Sequence, residues 1–379
     1  MLVPPRHYME CALSLARLAV GHTSPNPAVG AVVIKDGLIV GMGYTQPAGS
    51  EHAEVMALRQ AGDKAQGSAM YVTLEPCSHY GRTPPCTQAI IDAGISEVHI
   101  ALLDPNPLVS GRGVGRLNER GIKTHIGTCE QEAHEINEAY IKHITTGLPF
   151  VMAKFAMSLD GKIATKSGDS KWITKDEARK YAHDLRYTAD AIMVGVNTIL
   201  ADNPRLTARG FGGRAGIGKM QPIRLVVDSK GRVPLNAHIF ERPGGVLLAV
   251  AEPFDSAKKE KLLQAGAEVL ELPAEKGSVD VRELFKLLGK REIVNVLVEG
   301  GGKLLGSLFD HHLVDKVMVF ISPVIIGGSK AAIVAGNGVD NMAKALRLSR
   351  VNIKCFGDDV LVSGYMEKEF PKEPRFSGA

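Results

Sequence analysis

At 379 residues the chain has room for two domains of ordinary size. Hydrophobic residues make up 45% and charged residues 23%, the composition of a globular protein, and a net charge of +4 gives no signal of a nucleic-acid partner. No apolar run approaches the roughly 18 residues of a membrane span, and the first residues lack the charged-then-apolar order of an export signal. A cytoplasmic protein with no membrane partner is therefore expected. The five cysteines (11, 77, 86, 129 and 355) are sparse and odd in number, which excludes a disulfide framework and leaves their use to local context.

In chain order, residues 7–20 carry apolar side chains at helical spacing, and Thr23-Ser-Pro-Asn-Pro27 is a rigid turn. Ala31–Ile34 and Leu38–Val40 flank Lys35-Asp36-Gly37, which predicts a hairpin. Ser50 is read as the N-cap of a helix over 51–61 that Gly62 ends. Strands follow at Met70–Leu74, Val98–Leu103 and Ile122–Ile126, with helices at 87–93 and 114–119 between them. One helix is expected over 130–145, closed by Gly147. That alternation predicts an α/β fold with largely parallel strands, and a domain boundary is placed at residue 147, giving domains 1–147 and 148–379.

The second half restarts the pattern. Strands are expected at Phe150–Phe155, Ala191–Val194, Ile223–Val227, Gly245–Val250, Val294–Val298 and Lys316–Ile321, with helices between. Thr174-x-x-Glu177 reads as a capping box. The glycine-rich stretch 209–220 reads as a mobile loop, and the charged tail after Glu367 as frayed.

The segment richest in chemistry is His52-Ala-Glu54, then Pro76-Cys77 and Pro85-Cys86. Zinc takes imidazole and thiolate ligands in a tetrahedral site, and three protein ligands leave a fourth position for water. The metal lowers the pKa of that water to roughly 7, and a carboxylate two residues after the histidine can carry its proton to a departing nitrogen. His-x-Glu with a later Pro-Cys and a second Cys is the pattern of zinc nucleobase deaminases. The common spacing is Pro-Cys-x-x-Cys. Here eight residues separate Cys77 from Cys86, and that insert is expected to loop out and help shape a substrate pocket.

These residues carry a resemblance. Thr23-Ser-Pro-Asn-Pro-Ala-Val-Gly30, His52-Ala-Glu54, Thr73–Cys86 and Asp104-Pro-Asn-Pro-Leu-Val-Ser-Gly-Arg112 resemble the deaminase half of the bifunctional riboflavin biosynthesis family. Lys154-Phe-Ala-Met-Ser-Leu-Asp-Gly-Lys162, Asp202-Asn-Pro-Arg-Leu206 and Val298-Glu-Gly-Gly-Gly302 resemble its reductase half. The resemblance covers nearly the whole chain, in the family's order. It implies a cytidine-deaminase-like first domain and a dihydrofolate-reductase-like second one, with Zn2+ and NADPH as cofactors. It also implies two reactions on a pyrimidine carrying a ribose phosphate: loss of the 2-amino group as ammonia, then reduction of the ribosyl chain to ribityl. A homo-oligomer built through the reductase domain is implied as well.

Residue by residue, the resemblance assigns zinc to His52, Cys77 and Cys86, proton transfer to Glu54, and pocket contacts to Asn26, His79, Asp104 and Asn106. Thr45 stands where the family often has His. In the second half, Ala156, Trp172, Thr198, Asp202, Ser229 and Gly301-Gly302-Lys303-Leu304-Leu305-Gly306-Ser307 correspond to cofactor contacts. Ser170, Arg186, Leu206, Arg209 and Glu299 correspond to substrate contacts, and Lys154 and Asp202 are candidates for polarising the sugar. The residues alone say less here. An apolar strand running into Glu299-Gly-Gly-Gly302 and a helix suits a phosphate at a helix N-terminus, although a plain tight turn has the same sequence. Gly210–Gly216 imitates a dinucleotide fingerprint but follows no strand, so it is set aside. Two other functions remain open: deamination of a free or nucleic-acid base, and a structural zinc module fused to a nucleotide sensor. The modest charge argues against the first, and Glu54 against the second.

Overall fold

The computed structural model describes residues 5–80, 84–107, 109–209, 221–241, 244–328 and 333–367. Most of the glycine-rich stretch, the Gly210–Gly216 fingerprint and the tail after Glu367 lie outside the described residues. The chain divides into two compact units, Met1–Phe150 with Phe285–Asn295, and Val151–Leu284 with Val296–Ala379.

In the first unit, helix α1 (Pro5–Ala19) precedes the hairpin β1 (Gly30–Lys35) and β2 (Leu38–Tyr44). Asp36 and Gly37 turn it with φ of 51° and 78°, the left-handed pair that the Asp-Gly sequence favours. Helix α2 (Ala53–Ala61) leads to β3 (Ala69–Val72), α3 (Cys86–Asp92), β4 (Glu97–Ile100), α4 (Arg112–Glu119) and β5 (Lys123–Ile126). The strands form one sheet in the order β2-β1-β3-β4-β5. The expectation of largely parallel strands needs correcting here: β1 pairs antiparallel with both β2 and β3, and only β3-β4-β5 is parallel. A two-residue turn allows no crossover, so the hairpin fixes the direction of β2 against β1. The core joins Met9 and Leu13 of α1 to Val32, Met70, Val98 and Ile100 of the sheet.

Three local expectations are also revised. The residue preceding α2 is His52, with extended backbone and no side-chain cap, rather than Ser50. Lys175, not Thr174, precedes α7 (Asp176–Thr188), again with no side-chain cap; its N–H donates instead to Asp359 at 2.6 Å. The single helix expected over 130–145 is two, α5 (Glu130–Ile136) and α6 (Glu138–Thr146). Asn137 separates them and spends its amide on a distant strand of backbone, accepting from Ala28 N–H at 2.8 Å and donating to Ala28 O at 3.1 Å. Helical periodicity cannot register such a long-range bond.

The second unit is built on a nine-stranded sheet, in the order β10-β9-β8-β7-β13-β6-β14-β16-β15. Its strands are β6 (Phe150–Ser158), β7 (Ala191–Gly195), β8 (Ile223–Val227), β9 (Val246–Ala251), β10 (Ala267–Leu272), β13 (Asn295–Val298), β14 (Lys316–Ser322), β15 (Leu348–Phe356) and β16 (Asp359–Met366). The two-residue strands β11 (Ala274–Glu275) and β12 (Ser278–Val279) form a separate ladder. Helices α8 (Val196–Asp202), α9 (Ser256–Gln264), α10 (Val281–Lys290) and α11 (Gly302–Asp310) connect the strands. The six expected strands are present. The reading missed β10 and the closing hairpin β15–β16, where β15 is largely exposed and mixes polar with apolar residues, giving no apolar run to read.

Candidate active sites

In the first unit, α2 starts immediately after His52 and α3 starts at Cys86, so two ligand candidates sit at helix starts. Gly43 lets α2 lie close on β2: a Cβ there would fall 2.2 Å from Ala53 O. His52 Nδ1 lies 3.2 Å from Cys86 Sγ and 3.8 Å from Cys77 Sγ, and Cys86 N–H donates to Cys77 Sγ at 3.3 Å. The three donor atoms lie within 4.8 Å of one another. The Cys77 thiol falls to about 4, because Cys86 and His52 hydrogen-bond its thiolate. His52 rises to about 9 through its bond to Cys77, against burial. Cys86 is pushed up by its bond to Cys77 and by burial. A buried thiolate beside an imidazole and a second thiol is a soft donor set suited to zinc. Glu54, in the first turn of α2, is 4% exposed, and burial pushes its carboxyl above the usual range while His52 opposes.

A cavity of about 360 Å³ opens beside these groups. Asn26, Thr45, His52, Glu54, Cys77 and His79 line it, and so do Asp104 and Asn106. The structure therefore brings every deaminase residue named from the sequence, except the more deeply buried Cys86, to one cavity wall. Thr45 is buried and accepts from Val29 N–H at 3.0 Å.

Two residues that sequence reasoning missed organise this wall. Tyr140, on α6, also lines the cavity and donates to Asp104 Oδ1 at 3.0 Å. Burial, with the neighbouring Asp104 carboxylate, pushes the Tyr140 phenol far up, so it stays a donor. Glu75, inside the quoted motif but given no role there, is buried and accepts from the N–H groups of Asp104 (3.3 Å), Gly111 (3.0 Å), Gly113 (2.8 Å) and Val114 (3.1 Å). It thus ties the Asp104 segment to the start of α4. The cue was Glu75 itself, a charged residue between an apolar strand and Cys77.

In the second unit, Lys154 on β6 and Glu299 after β13 flank Arg186 from α7. The Arg186 guanidinium makes a two-point pair with Glu299, through Nε at 2.7 Å and Nη2 at 2.5 Å, and donates to Thr207 O at 3.1 Å. Burial pushes Glu299 up, but Arg186 and Lys154 outweigh it, so its carboxyl lies below the usual range. Burial holds the Lys154 ammonium below its usual pKa, with Glu299 opposing. The same α7 face carries His183, which burial and then Arg186 and Arg209 depress to about 4. Ser170 donates to Asp202 Oδ1 at 3.1 Å.

The Gly300–Gly302 turn packs on the β7–α8 junction. Gly195 N–H donates to Gly300 O at 3.2 Å, and a Cβ on Gly300 would sit 3.4 Å from Thr198 Oγ1. Gly301 has φ of 92°, and the nine-residue α11 starts after it with no side-chain cap among the described residues, an arrangement that suits a phosphate. Leu304, Leu305 and Gly306 are buried, so of the 301–307 segment these offer backbone only. The remaining candidates are dispersed. Trp172 is exposed beneath the Arg179 guanidinium, 4.6 Å from the ring centroid. Ser229 Oγ accepts from Val279 N–H at 3.0 Å. Leu206 is buried with φ of 47°, Ala156 lies within β6, and Arg209 is exposed at the edge of the described residues.

Residues 4–102 match the family model for the cytidine and deoxycytidylate deaminase zinc-binding region, and residues 149–362 match the RibD C-terminal domain. The riboflavin biosynthesis protein RibD of Aquifex aeolicus is 44% identical over 94% of this chain and 97% of its own length. The chain belongs to the RibD family. The Escherichia coli RibD is 41% identical over 93% of this chain and 97% of its own. Among solved structures, Acinetobacter baumannii RibD superposes with a TM-score of 0.85 at 37% identity, covering 96% of this chain and 99% of that one. A Thermotoga maritima diaminohydroxyphosphoribosylaminopyrimidine deaminase/5-amino-6-(5-phosphoribosylamino)uracil reductase superposes at 0.81 and 35%, covering 95% and 98%. A RibD chain pairs a cytidine-deaminase-like domain with a reductase domain, which is the division into α/β halves described above.

Proposed function

We propose that this RibD-family enzyme hydrolyses 2,5-diamino-6-(5-phosphoribosylamino)pyrimidin-4(3H)-one at its 2-amino group. It then reduces the ribosyl chain with NADPH to give 5-amino-6-(5-phosphoribitylamino)uracil. The deaminase occupies about residues 1–147 and the reductase about 148–379. The observation that supports the deaminase best is the cavity where His52 and Cys77 meet Glu54, Asn26, His79, Asp104 and Asn106.

His52, Cys77 and Cys86 would hold zinc, which when bound would make water nucleophilic near neutral pH. Glu54 takes a proton from the attacking water and delivers it to the amino nitrogen as the C–O bond forms and the C–N bond breaks, releasing ammonia. Its buried, raised pKa suits a group that must hold a proton between two transfers. Asn26, His79, Asp104 and Asn106 orient the ring, and Tyr140 fixes Asp104 for that task.

Gly301–Ser307, with Ala156, Trp172, Thr198, Asp202 and Ser229, would hold NADPH, which when bound would supply a hydride. The ribosyl C1′–O4′ bond opens as C1′ gains a hydride, Lys154 and Asp202 polarise the sugar, and the freed oxygen takes its proton from water. Ser170, Arg186, Leu206, Arg209 and Glu299 contact the substrate, the arginines gripping its ribose phosphate. The Arg186–Glu299 pair supports a specific reading of that role: Glu299 fixes the guanidinium fork in one orientation before substrate arrives. The protein works as a cytoplasmic homo-oligomer on this small molecule alone, with no nucleic acid. Light scattering reports the assembly.

The test is to give zinc-loaded protein the diamino-pyrimidinone, measure ammonia, then add NADPH and follow its absorbance. Ammonia followed by NADPH oxidation is the expected result. Ammonia alone would overturn the reductase assignment. Neither signal from folded, zinc-bound protein would overturn the substrate.

A further inference from the structure

Trp172 is the only tryptophan of the chain and is 71% exposed. A lone exposed aromatic ring carries no message by itself. This one is exposed and yet held. The loop that carries it is pinned on both sides. Before it, Ser170 Oγ donates to Asp202 Oδ1 at 3.1 Å, at the end of α8. After it, Lys175 N–H donates to Asp359 Oδ2 at 2.6 Å and Lys175 Nζ pairs with Asp358, both at the β15–β16 turn.

Between these pins the Arg179 guanidinium lies over the indole. Its central carbon is 4.6 Å from the ring centroid, inside the roughly 6 Å reach of a cation–π contact. The guanidinium is itself fixed: Nη1 donates to Thr174 O at 2.7 Å, and Nη2 pairs with Asp176 in the first turn of α7. One face of the indole is thus covered, and the exposure of the residue leaves the other face to solvent. A ring so braced is a platform on which a second flat group can stack. NADPH offers two such groups, adenine and nicotinamide. Ser170 and Asp202, assigned above to the substrate and to the reacting sugar, lie on the same pinned loop and at its anchor, which favours the nicotinamide.

We infer that Arg179 is a positioning residue of the reductase, bracing Trp172 so that the free indole face receives the nicotinamide ring. The inference rests on the assignment of Trp172 to the cofactor proposed above. Arg179 acts through the indole and need not touch NADPH. Arginine suits the task because a planar guanidinium lies flat on an aromatic face.

With a single tryptophan, indole fluorescence of the full-length protein reports this ring alone. The pyridinium of NADP+ quenches an indole that it touches, so saturable quenching by NADP+ is expected in wild type. Arg179→Ala should lower the fluorescence anisotropy of Trp172 before any cofactor is added. It should also weaken NADP+ binding and raise KM for NADPH about two- to fivefold, the worth of an exposed cation–π contact, with kcat within a factor of about two. In a Trp172→Ala background, Arg179→Ala should raise KM no further. Unchanged anisotropy or unchanged KM in Arg179→Ala overturns the inference. So does an equal rise of KM in both backgrounds, since Arg179 would then act without the indole. Failure of the cofactor assignment reads differently: NADP+ would leave wild-type emission unquenched, and the inference would fall with it. The Arg179 side chain is 30% exposed and lies outside the core, and circular dichroism checks that each variant is folded.

Discussion

Glu54 and Lys154 are both charged residues that burial works against, in opposite senses: the carboxyl is pushed up and the ammonium down. Each is thereby brought nearer the range where proton transfer is efficient. Glu54→Gln should keep one zinc at His52, Cys77 and Cys86 while deamination falls about 10²–10⁴-fold, the usual worth of a positioned acid–base group; an ammonia assay with a metal count reads both. His183 gives a pH prediction. Its folded pKa is about 4, below the ordinary 6.5. Between those values the unfolded chain binds the extra proton, so stability falls as pH drops through that window and the effect is complete below about 4. His183→Gln should therefore lose less melting temperature than wild type between pH 7 and pH 4.5. Equal losses would show that the ring is not held neutral.

Among the elements, the instructive case is the junction of β3, the Asp104 segment and α4. Glu75 closes it with four backbone N–H groups, and Gly113 permits the contact, since a Cβ there would lie 2.2 Å from Pro76 O. Glu75→Gln keeps the shape but removes the charge and turns one acceptor into a donor facing N–H groups, a buried mismatch worth about 1–3 kcal/mol. We expect a raised KM for deamination with zinc retained, because the Asp104 segment loosens while the metal ligands stay. Steady-state kinetics beside a urea titration separate this from general unfolding. Sequence periodicity placed β3 and α4, but it gave no hint that one carboxylate joins them. Similarly, it drew one helix across Asn137, where a side-chain bond to Ala28 makes two.

Over the whole molecule, the His52, Cys77, Cys86 and Glu54 group and the Lys154–Arg186–Glu299 group belong to different compact units. Their chemistry should separate accordingly. Lys154→Ala should slow NADPH oxidation at least about 10²-fold and leave ammonia release within a factor of about two. Conversely, stripping metal with a chelator should abolish ammonia release yet preserve reduction of the deaminated intermediate supplied directly. A loss of both activities in either experiment would show that the halves depend on each other. No helix among the described residues is long and apolar enough to cross a membrane, consistent with the composition.

The sequence by itself determined what short-range chemistry writes into it: the Asp-Gly hairpin, most parallel strands as apolar runs, and the His-x-Glu and Pro-Cys elements with the family they mark. These depend on neighbours within a turn or a strand. Tertiary structure alone decided the rest. It set the antiparallel edge of the first sheet, the split at Asn137, the roles of Tyr140 and Glu75, and the pairing of Arg186 with Glu299 across 113 positions. It also brought Glu97, His99 and His125 together, since side chains on adjacent parallel strands meet only when the register is fixed. In each case the partner is far away in the chain, and only folding brings its polar atoms within reach.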